Sequence, residues 1–327
     1  MTTMKDVAKH AGVSKATVSR VLNKKGYVSK EAEASVLKSI KELNYQPNSV
    51  ARSLYHKTSG MIALVLPDIS NPFFPELARA VEDVALAYGY TVVFCNTDEE
   101  IEKEKRYFEA LQQKYVDGII LSTSSQAPDE YHKLDLPLVA LDRFLGENIP
   151  TVVSENKRGG ELATQHLLDN GCKNLAHLRG PEGVGPAEDR LEGFRKVVSK
   201  EKCSYTVRTA GFDMERAKQE TYKLFQDKPD IDGIFAGSDI TAAGALHALS
   251  TLGKKVPEEV KVIGFDGIPL GQMFVPGITT MEQSIYDMGA LAARLLIKQI
   301  EKKPIENYIH EFPVHLVVRG TTEEVMT

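Results

Sequence analysis

Only three cysteines occur in the 327 residues, Cys95, Cys172 and Cys203, and none belongs to a C-x-x-C pair. Such an odd, scattered set excludes a disulfide framework and offers no zinc-ligand spacing, so a reducing compartment is expected. No apolar run approaches the roughly 18 residues of a membrane helix. The polar start Met1-Thr2-Thr3-Met4-Lys5 carries no apolar signal-peptide core, so a cytoplasmic, unexported protein is expected. Marks of nucleotide chemistry are missing too. No G-x-G-x-x-G follows the first apolar strand, and Gly253-Lys254-Lys255 has neither the Ser/Thr nor the upstream glycine of a P-loop. With no H-E-x-x-H and no G-x-S-x-G, the zinc-protease and esterase arrangements are excluded as well. His166, His177 and His247 fall within expected helices or strands and read as packed or surface residues rather than bases. No catalytic residue, metal or cofactor is therefore expected, and the chain does not read as an enzyme.

Positive charge is scarce overall, at a net -5, but it is unevenly placed. Residues 1–60 hold eleven Lys and Arg against four Asp and Glu, a charge of +7 that leaves -12 for the remainder. This is the asymmetry of a protein that touches phosphate with one end only. The length allows a small domain plus a large body.

The basic end has a readable plan. Val7, Ala8 and Ala11 recur at helical spacing, and Ala11-Gly12-Val13-Ser14 reads as a tight turn whose serine caps a second helix. Two short helices joined this way make a helix-turn-helix. Val18, Val21 and Leu22 face inward, leaving Lys15, Ala16, Thr17, Ser19 and Arg20, with Asn23 at the end, as a small, polar, basic face that fits a major groove. A third helix, capped by Ser29 with Glu31 and Glu33 near its start, carries Ala32, Val36, Ile40 and Leu43 on one side. Pro47 closes this unit, and Asn48 can cap a brief further helix that exposes Leu54. Taken alone, such a pair of helices could be any two-helix corner with a solvated basic face.

From Gly60 the grammar changes. Met61–Leu66 is a continuous apolar run, as in a strand buried on both faces, and helices and strands then alternate. Strands are expected at 91–94, 118–121, 138–141, 152–154, 175–178, 233–236 and 260–265, and helices near 72–88, 99–114, 155–170, 186–199, 214–227, 240–252 and 286–302. This alternation calls for parallel sheets with helices on both faces, and the strands are too many for one sheet. Ligands gather beyond the carboxyl ends of such strands. Those ends carry Asn71, Phe73 and Phe74, then Asp142-Arg143, Phe212, Ser238-Asp239, Asp266 and Gln283, with Asp189-Arg190 opening a helix. Rings beside carboxylates, guanidinium groups and amides fit a small polyol, the rings covering C–H faces and the charged groups pairing with vicinal hydroxyls. The phenylalanines could equally be core, and the Asp-Arg pairs could be helix caps or surface ion pairs.

The segments Lys5-Asp6-Val7-Ala8, Ala16-Thr17-Val18-Ser19-Arg20-Val21-Leu22-Asn23 and Pro47-Asn48-Ser49-Val50-Ala51-Arg52-Ser53-Leu54 resemble the LacI/GalR family of bacterial transcriptional repressors. The resemblance runs over essentially the whole chain. It implies a small all-α helix-turn-helix head and hinge helix joined to two doubly wound α/β lobes like those of periplasmic binding proteins. Its implied boundaries are 1–47 for the head, 48–59 for the hinge, 60–158 with 284–304 for the first lobe, and 159–283 with 305–327 for the second. In that family a dimer's hinge helices enter the minor groove and wedge a leucine into a base step, a role that falls on Leu54, with Asn48 and Ala51 beside it. Asn71-Pro72-Phe73-Phe74, Leu141-Asp142-Arg143, Asp189-Arg190 and Gly264-Phe265-Asp266 resemble its sugar-site segments, and Ser70–Arg79 is similar to that of ribose operon repressors. Ser238 departs from the pattern, which usually has Asn there and so puts one hydroxyl contact in question.

The resemblance implies a homodimeric repressor of a pseudo-palindromic operator, its DNA affinity set allosterically by a small sugar, with ribose first and another pentose or hexose as the alternative. The half-sites are expected about one helical turn, roughly 34 Å, apart. A catabolite regulator that answers to a phosphorylated carrier protein is the rival reading; the acidic body shows no basic docking patch for one. A secreted sugar receptor would need a signal peptide and no DNA-binding head.

Overall fold

The computed structural model describes residues 2–23, 26–45, 58–123, 130–131 and 134–323. Contacts divide the chain into two units, Met1–Ser59 and Gly60–Thr327. Asn48, Ala51 and Leu54 lie outside the described residues, as does the side chain of Asn23.

The first unit is built from α1 (Met4–Ala11), α2 (Lys15–Asn23) and α3 (Lys30–Glu42). A capping box between Thr3 and Asp6 starts α1, and Gly12 ends it at a φ of 69°, a left-handed conformation that glycine adopts at little cost. Ser14 Oγ accepts the Thr17 N–H at 3.1 Å, and Ser29 accepts the Ala32 N–H, so α2 and α3 begin where the sequence places their caps. Val7, Val18, Val21, Val36 and Tyr45 form the core. Ser35 Oγ donates to the Ala11 carbonyl, and His10 Nδ1 lies 2.9 Å from Ser39 Oγ, which ties α1 to α3.

The second unit holds two six-stranded sheets. The first contains β1 (Met61–Leu66), β2 (Thr91–Asn96), β3 (Gly118–Leu121), β4 (Leu138–Leu141), β5 (Thr151–Ser154) and β11 (Ile309–Phe312). Its order is β11-β5-β4-β3-β1-β2, with every pairing parallel. The helices α4 (Phe73–Ala87), α5 (Ile101–Gln113) and α10 (Ile285–Ile300) belong with it. The fully buried residues of β1 show why this run has no polar alternation, since both faces are covered.

The second sheet contains β6 (Asn174–Arg179), β7 (Ser204–Thr209), β8 (Gly233–Ala236), β9 (Lys261–Asp266), β10 (Thr279–Glu282) and β12 (His315–Val317). Its order is β12-β10-β9-β8-β6-β7, parallel except at β12. The helices α6 (Asn156–Asp169), α7 (Gly185–Glu201), α8 (Met214–Asp227) and α9 (Asp239–Thr251) accompany it.

The structure departs from the sequence reading in three places. Residues 204–209, to which the sequence reading assigns no element, form β7, an edge strand whose Ser-Tyr-Thr-Val-Arg-Thr carries no apolar run and has no fully buried residue. Residues 279–282, also without an expected element, form β10 of the second sheet, in the lobe expected for 159–283. The tail does not return whole to the second lobe: Ile309–Phe312 pairs with Thr151–Ser154 of the first sheet, and only His315–Val317 reaches the second.

Candidate functional site

A cavity of about 920 Å³ opens at the carboxyl ends of both sheets. Its walls come from the turns that follow β1, β2, β3 and β4 on one side and β6, β7 and β9 on the other. Of the ten ligand residues expected from sequence, eight line it: Asn71, Phe73, Phe74, Asp142, Arg143, Arg190, Phe212 and Asp266. Phe73 and Phe74 also belong to the first lobe's core, so both readings of them hold, and their rings meet edge to face with centroids 5.1 Å apart. Asn71 Oδ1 accepts the Phe73 N–H at 3.1 Å, which ties the turn to the first residue of α4.

Asp239 and Gln283 are not on the wall. Asp239 is spent on structure: its Oδ2 accepts the Gly267 and Ile268 N–H groups at 2.8 and 2.9 Å, and its Oδ1 accepts the Thr280 hydroxyl at 2.6 Å. Burial and the Asp266 carboxylate push its pKa up against those three donors. Gln283 stands behind Asp266 and donates to Asp266 Oδ1 at 2.7 Å. Ser238 caps α9, accepting the Thr241 N–H at 3.1 Å, so it too is part of the frame.

Arg190 holds the deep end together. Its Nε donates to Asn156 Oδ1 at 2.9 Å, its Nη1 donates to the Gly237 carbonyl at 2.6 Å, and the same nitrogen lies 3.4 Å from Asp266 Oδ1. The guanidinium is 3.7 Å from the centre of the Phe265 ring, and Phe212 is near at 5.8 Å. A planar, forked cation makes all of these contacts at once.

Two aspartates face the cavity from opposite lobes, and both have positive φ, 56° at Asp142 and 111° at Asp266. Non-glycine residues seldom take these conformations, and here the backbone turns each carboxylate inward at the end of its strand. Asp142 Oδ1 is shielded from solvent and has no hydrogen-bond partner among the described residues. Burial pushes the Asp142 carboxyl up to about 7, Arg190 opposes the rise, and Asp266 adds to it. Burial likewise raises Asp266 to about 6, against Arg190 and Gln283. An unpaired, partly desolvated acceptor of this kind is what a ligand hydroxyl would satisfy.

This arrangement gives a testable cost. The folded-state pKa of Asp142 lies above its ordinary value, so the folded chain keeps a proton that the unfolded chain loses as the pH rises from about 4 to 7. Each such unit removes up to about 1.4 kcal/mol of stability. Asp142→Asn should therefore melt higher than the parent at pH 8 and not at pH 4.5, while binding ligand more weakly. Thermal melts at the two pH values, with titration of the ligand, check both parts.

Several site residues escaped the sequence reading. Glu104 is fully buried, accepts the Tyr131 hydroxyl at 2.7 Å and the Thr123 hydroxyl at 3.1 Å, and raises the pKa of Arg143 against burial, which pulls it down to about 10. Its signal was present, because Glu104, Phe108 and Leu111 share one face of α5 and a carboxylate in an apolar stripe needs a reason. Asn156, which orients Arg190, had no such mark. Acidic Asp98, Glu99, Glu182 and Asp213, with Arg216, complete the mouth.

In the first unit, Lys15, Ala16 and Arg20 of α2 are exposed, and Thr17 and Ser19 are half-buried. The Thr17 hydroxyl is 2.9 Å from Ser14 Oγ. The stem of Arg20 runs beside Gly26, whose φ of 80° leaves no room for strain-free substitution. This face is compact, polar and positive.

No helix among the described residues is long and apolar enough to cross a membrane. Among them, no group of three His, Cys, Asp or Glu could hold a metal ion, and all three cysteines are free.

Comparison with known proteins gives consistent results. Residues 3–48 match the family described as bacterial regulatory proteins, lacI family, and residues 59–315 match periplasmic binding proteins and sugar binding domain of LacI family. A ribose operon repressor of Halalkalibacterium halodurans is 64% identical over 323 residues, covering 99% of this chain and 98% of the relative. One from Bacillus subtilis is 42% identical over 325 residues, covering 99% of each. Among solved structures, the lac repressor dimer bound to operator and the anti-inducer ONPF matches with a TM-score of 0.88 at 26% identity, covering 98% of this chain and 99% of that one. A periplasmic binding protein/LacI transcriptional regulator from Alkaliphilus metalliredigens, complexed with D-xylulofuranose, matches with a TM-score of 0.75 at 36% identity, covering 81% of this chain and 100% of that one.

Proposed function

Because the chain belongs to the LacI family of bacterial regulatory proteins, and is a DNA-binding transcriptional repressor controlled by a small sugar, we propose that its effector is ribose, bound in the cavity between the two lobes. The observation that carries this reading is the convergence of Asn71, Phe73, Phe74, Asp142, Arg143, Arg190, Phe212 and Asp266 on one cavity. The ribose operon repressors to which the chain is similar over nearly its full length support the choice of sugar.

The rings of Phe73, Phe74 and Phe212 cover the apolar faces of the sugar. Asp142 of the first lobe and Asp266 and Arg190 of the second bond its hydroxyls. A ligand that is held from both sides favours an arrangement in which the lobes are closed on it, and that difference in affinity is what shifts the conformational equilibrium. Lys15, Ala16, Thr17, Ser19, Arg20 and Asn23 read base edges, and Asn48, Ala51 and Leu54 carry the hinge contact with the minor groove, where an apolar wedge costs unstacking energy that a bent duplex recovers.

The working form is a homodimer. Leu86 and Tyr88 at the end of α4 and Phe94 on the edge strand β2 are exposed together, and Met273 and Val275 stand out from the second lobe, 75% and 99% exposed. Exposed apolar side chains of this kind fit a partner, and a second copy supplies the symmetric one that a pseudo-palindromic operator requires.

Titration calorimetry of the full chain tests the ligand. Ribose should bind with one site per chain, and Asp266→Asn should weaken it at least about tenfold, the loss of one charge-assisted hydrogen bond. Absence of heat with ribose, and heat with another pentose, would replace the sugar without touching the fold.

A further inference from the structure

The cavity wall is rich in carboxylates. Seven carboxylates and only three guanidinium groups line it. Five of the seven, Asp68, Asp98, Glu99, Glu182 and Asp213, stand exposed around the mouth, and Glu99 takes a φ of 59° there. The other two, Asp142 and Asp266, occupy the deep end, where Asp142 Oδ1 is buried and has no hydrogen-bond partner among the described residues. Such oxygens accept hydrogen bonds. Ring hydroxyls donate them, whereas the terminal oxygens of a doubly ionised phosphate only accept.

Cations near the mouth are engaged by carboxylates: Lys103 pairs with Asp98, and Arg179 lies 3.8 Å from Glu182. Arg190 is engaged by Asn156, Gly237 and Asp266. Arg143 faces the carboxylates of Glu104 and Asp142, with its buried Nε unpartnered among the described residues, and Arg216 stands at the exposed rim. Helix N-termini would be the other refuge for an anion, and three open towards the cavity. Only that of α8 carries a side-chain cap, and near the other two a side-chain oxygen takes one neighbouring N–H. Asn71 Oδ1 takes the Phe73 N–H of α4, Asp213 takes the Arg216 N–H of α8, and Glu188 takes the Gly183 N–H just ahead of α7.

We propose that this acidic wall makes the site refuse phosphorylated sugars, with Glu99 and Glu182 at the mouth as specificity determinants, so that the repressor senses the free sugar ahead of any phosphoryl-transfer step that consumes it. The proposal rests on the sugar-site reading above and adds which chemical form is bound. Like-charge juxtaposition sets the discrimination, and because the mouth groups are exposed, added salt screens them.

The test is calorimetry of the full chain with D-ribose and with ribose 5-phosphate at pH 8, in low and high salt. The expected result is binding of ribose that is insensitive to salt, with the ester at least about 100-fold weaker. The ratio between the two should narrow as salt rises, and should narrow about tenfold in the double variant E99Q/E182Q at low salt. An ester that binds within about threefold of ribose overturns the refusal and leaves the ribose reading standing. A ratio unmoved by salt and by E99Q/E182Q overturns the role of the mouth charges. No heat with either compound sinks the ribose reading itself, and the refusal with it.

Discussion

Arg190→Met is expected to leave the repressor blind to ribose. Methionine matches much of the volume but none of the charge. Asn156 Oδ1 and the Gly237 carbonyl lose their donor, and Asp266 loses the cation 3.4 Å from its carboxylate. Removing one partner from a buried ion pair costs about 3–5 kcal/mol, because the other charge is stranded. The loss falls on the sugar as well, since the carboxylates of Asp142 and Asp266 then repel each other without the guanidinium that holds both down. Arg190→Lys should recover little, because an ammonium cannot reach Asn156, Gly237 and Asp266 in one geometry while lying on the Phe265 ring. Melting curves should drop, calorimetry should show no ribose binding, and operator affinity should no longer change when ribose is added. Ordinary ribose binding by Arg190→Met would remove Arg190 from the site.

Gly193→Ala is expected to be strongly destabilising although it adds a single methyl group. Gly193 lies on α7 where it crosses α6, and a Cβ there would stand 2.1 Å from the Lys157 carbonyl oxygen and 2.8 Å from the Glu161 nitrogen. Both are backbone atoms in a helix, so neither can step aside. The crossing is reciprocal, because a Cβ at Gly160 of α6 would stand 2.4 Å from the carbonyl oxygen of Arg190. The helices must separate, at a cost of about 3 kcal/mol or more. A lobe of this size should then melt roughly 6–12 °C lower. Since Arg190 rides on α7, its guanidinium shifts with the helix, and ribose affinity should fall together with stability. Gly171→Ala is the comparison. Its φ of 87° is strained but nothing lies within 4 Å of the added carbon, so it should cost less and leave ribose affinity intact.

Much of the frame was legible because burial writes itself plainly. Residues 61–66, 118–121, 138–141 and 233–236 were readable to the residue, as each is a short apolar run with both faces covered. The strand at 204–209 was not, because an edge strand with no fully buried residue has no such run. The division of the chain's end between two sheets follows from pairings far apart in sequence, Ile309 with Thr151 and Leu316 with Met281, which no local pattern encodes. At the site, residue type, position near strand ends and the family resemblance together pointed to ten residues, of which eight stand on the cavity wall. Asp239 was misplaced because its position matches that rule while its carboxylate is taken by the backbone at 267–268. Asn156 and Glu104 act through Arg190 and Arg143 respectively, and a residue whose work is to orient another carries no motif of its own.

The central claim is that the cavity and the DNA-binding head share one equilibrium, so that ribose and operator alter each other's affinity. The direct measurement is operator affinity of the full chain with and without saturating ribose at one fixed salt concentration, and it needs no mutation. The account predicts a change of about 5–150-fold, the usual span of an allosteric coupling, and an equal factor when ribose affinity is measured with and without operator. Operator affinity that stays the same with the cavity filled by ribose would contradict it.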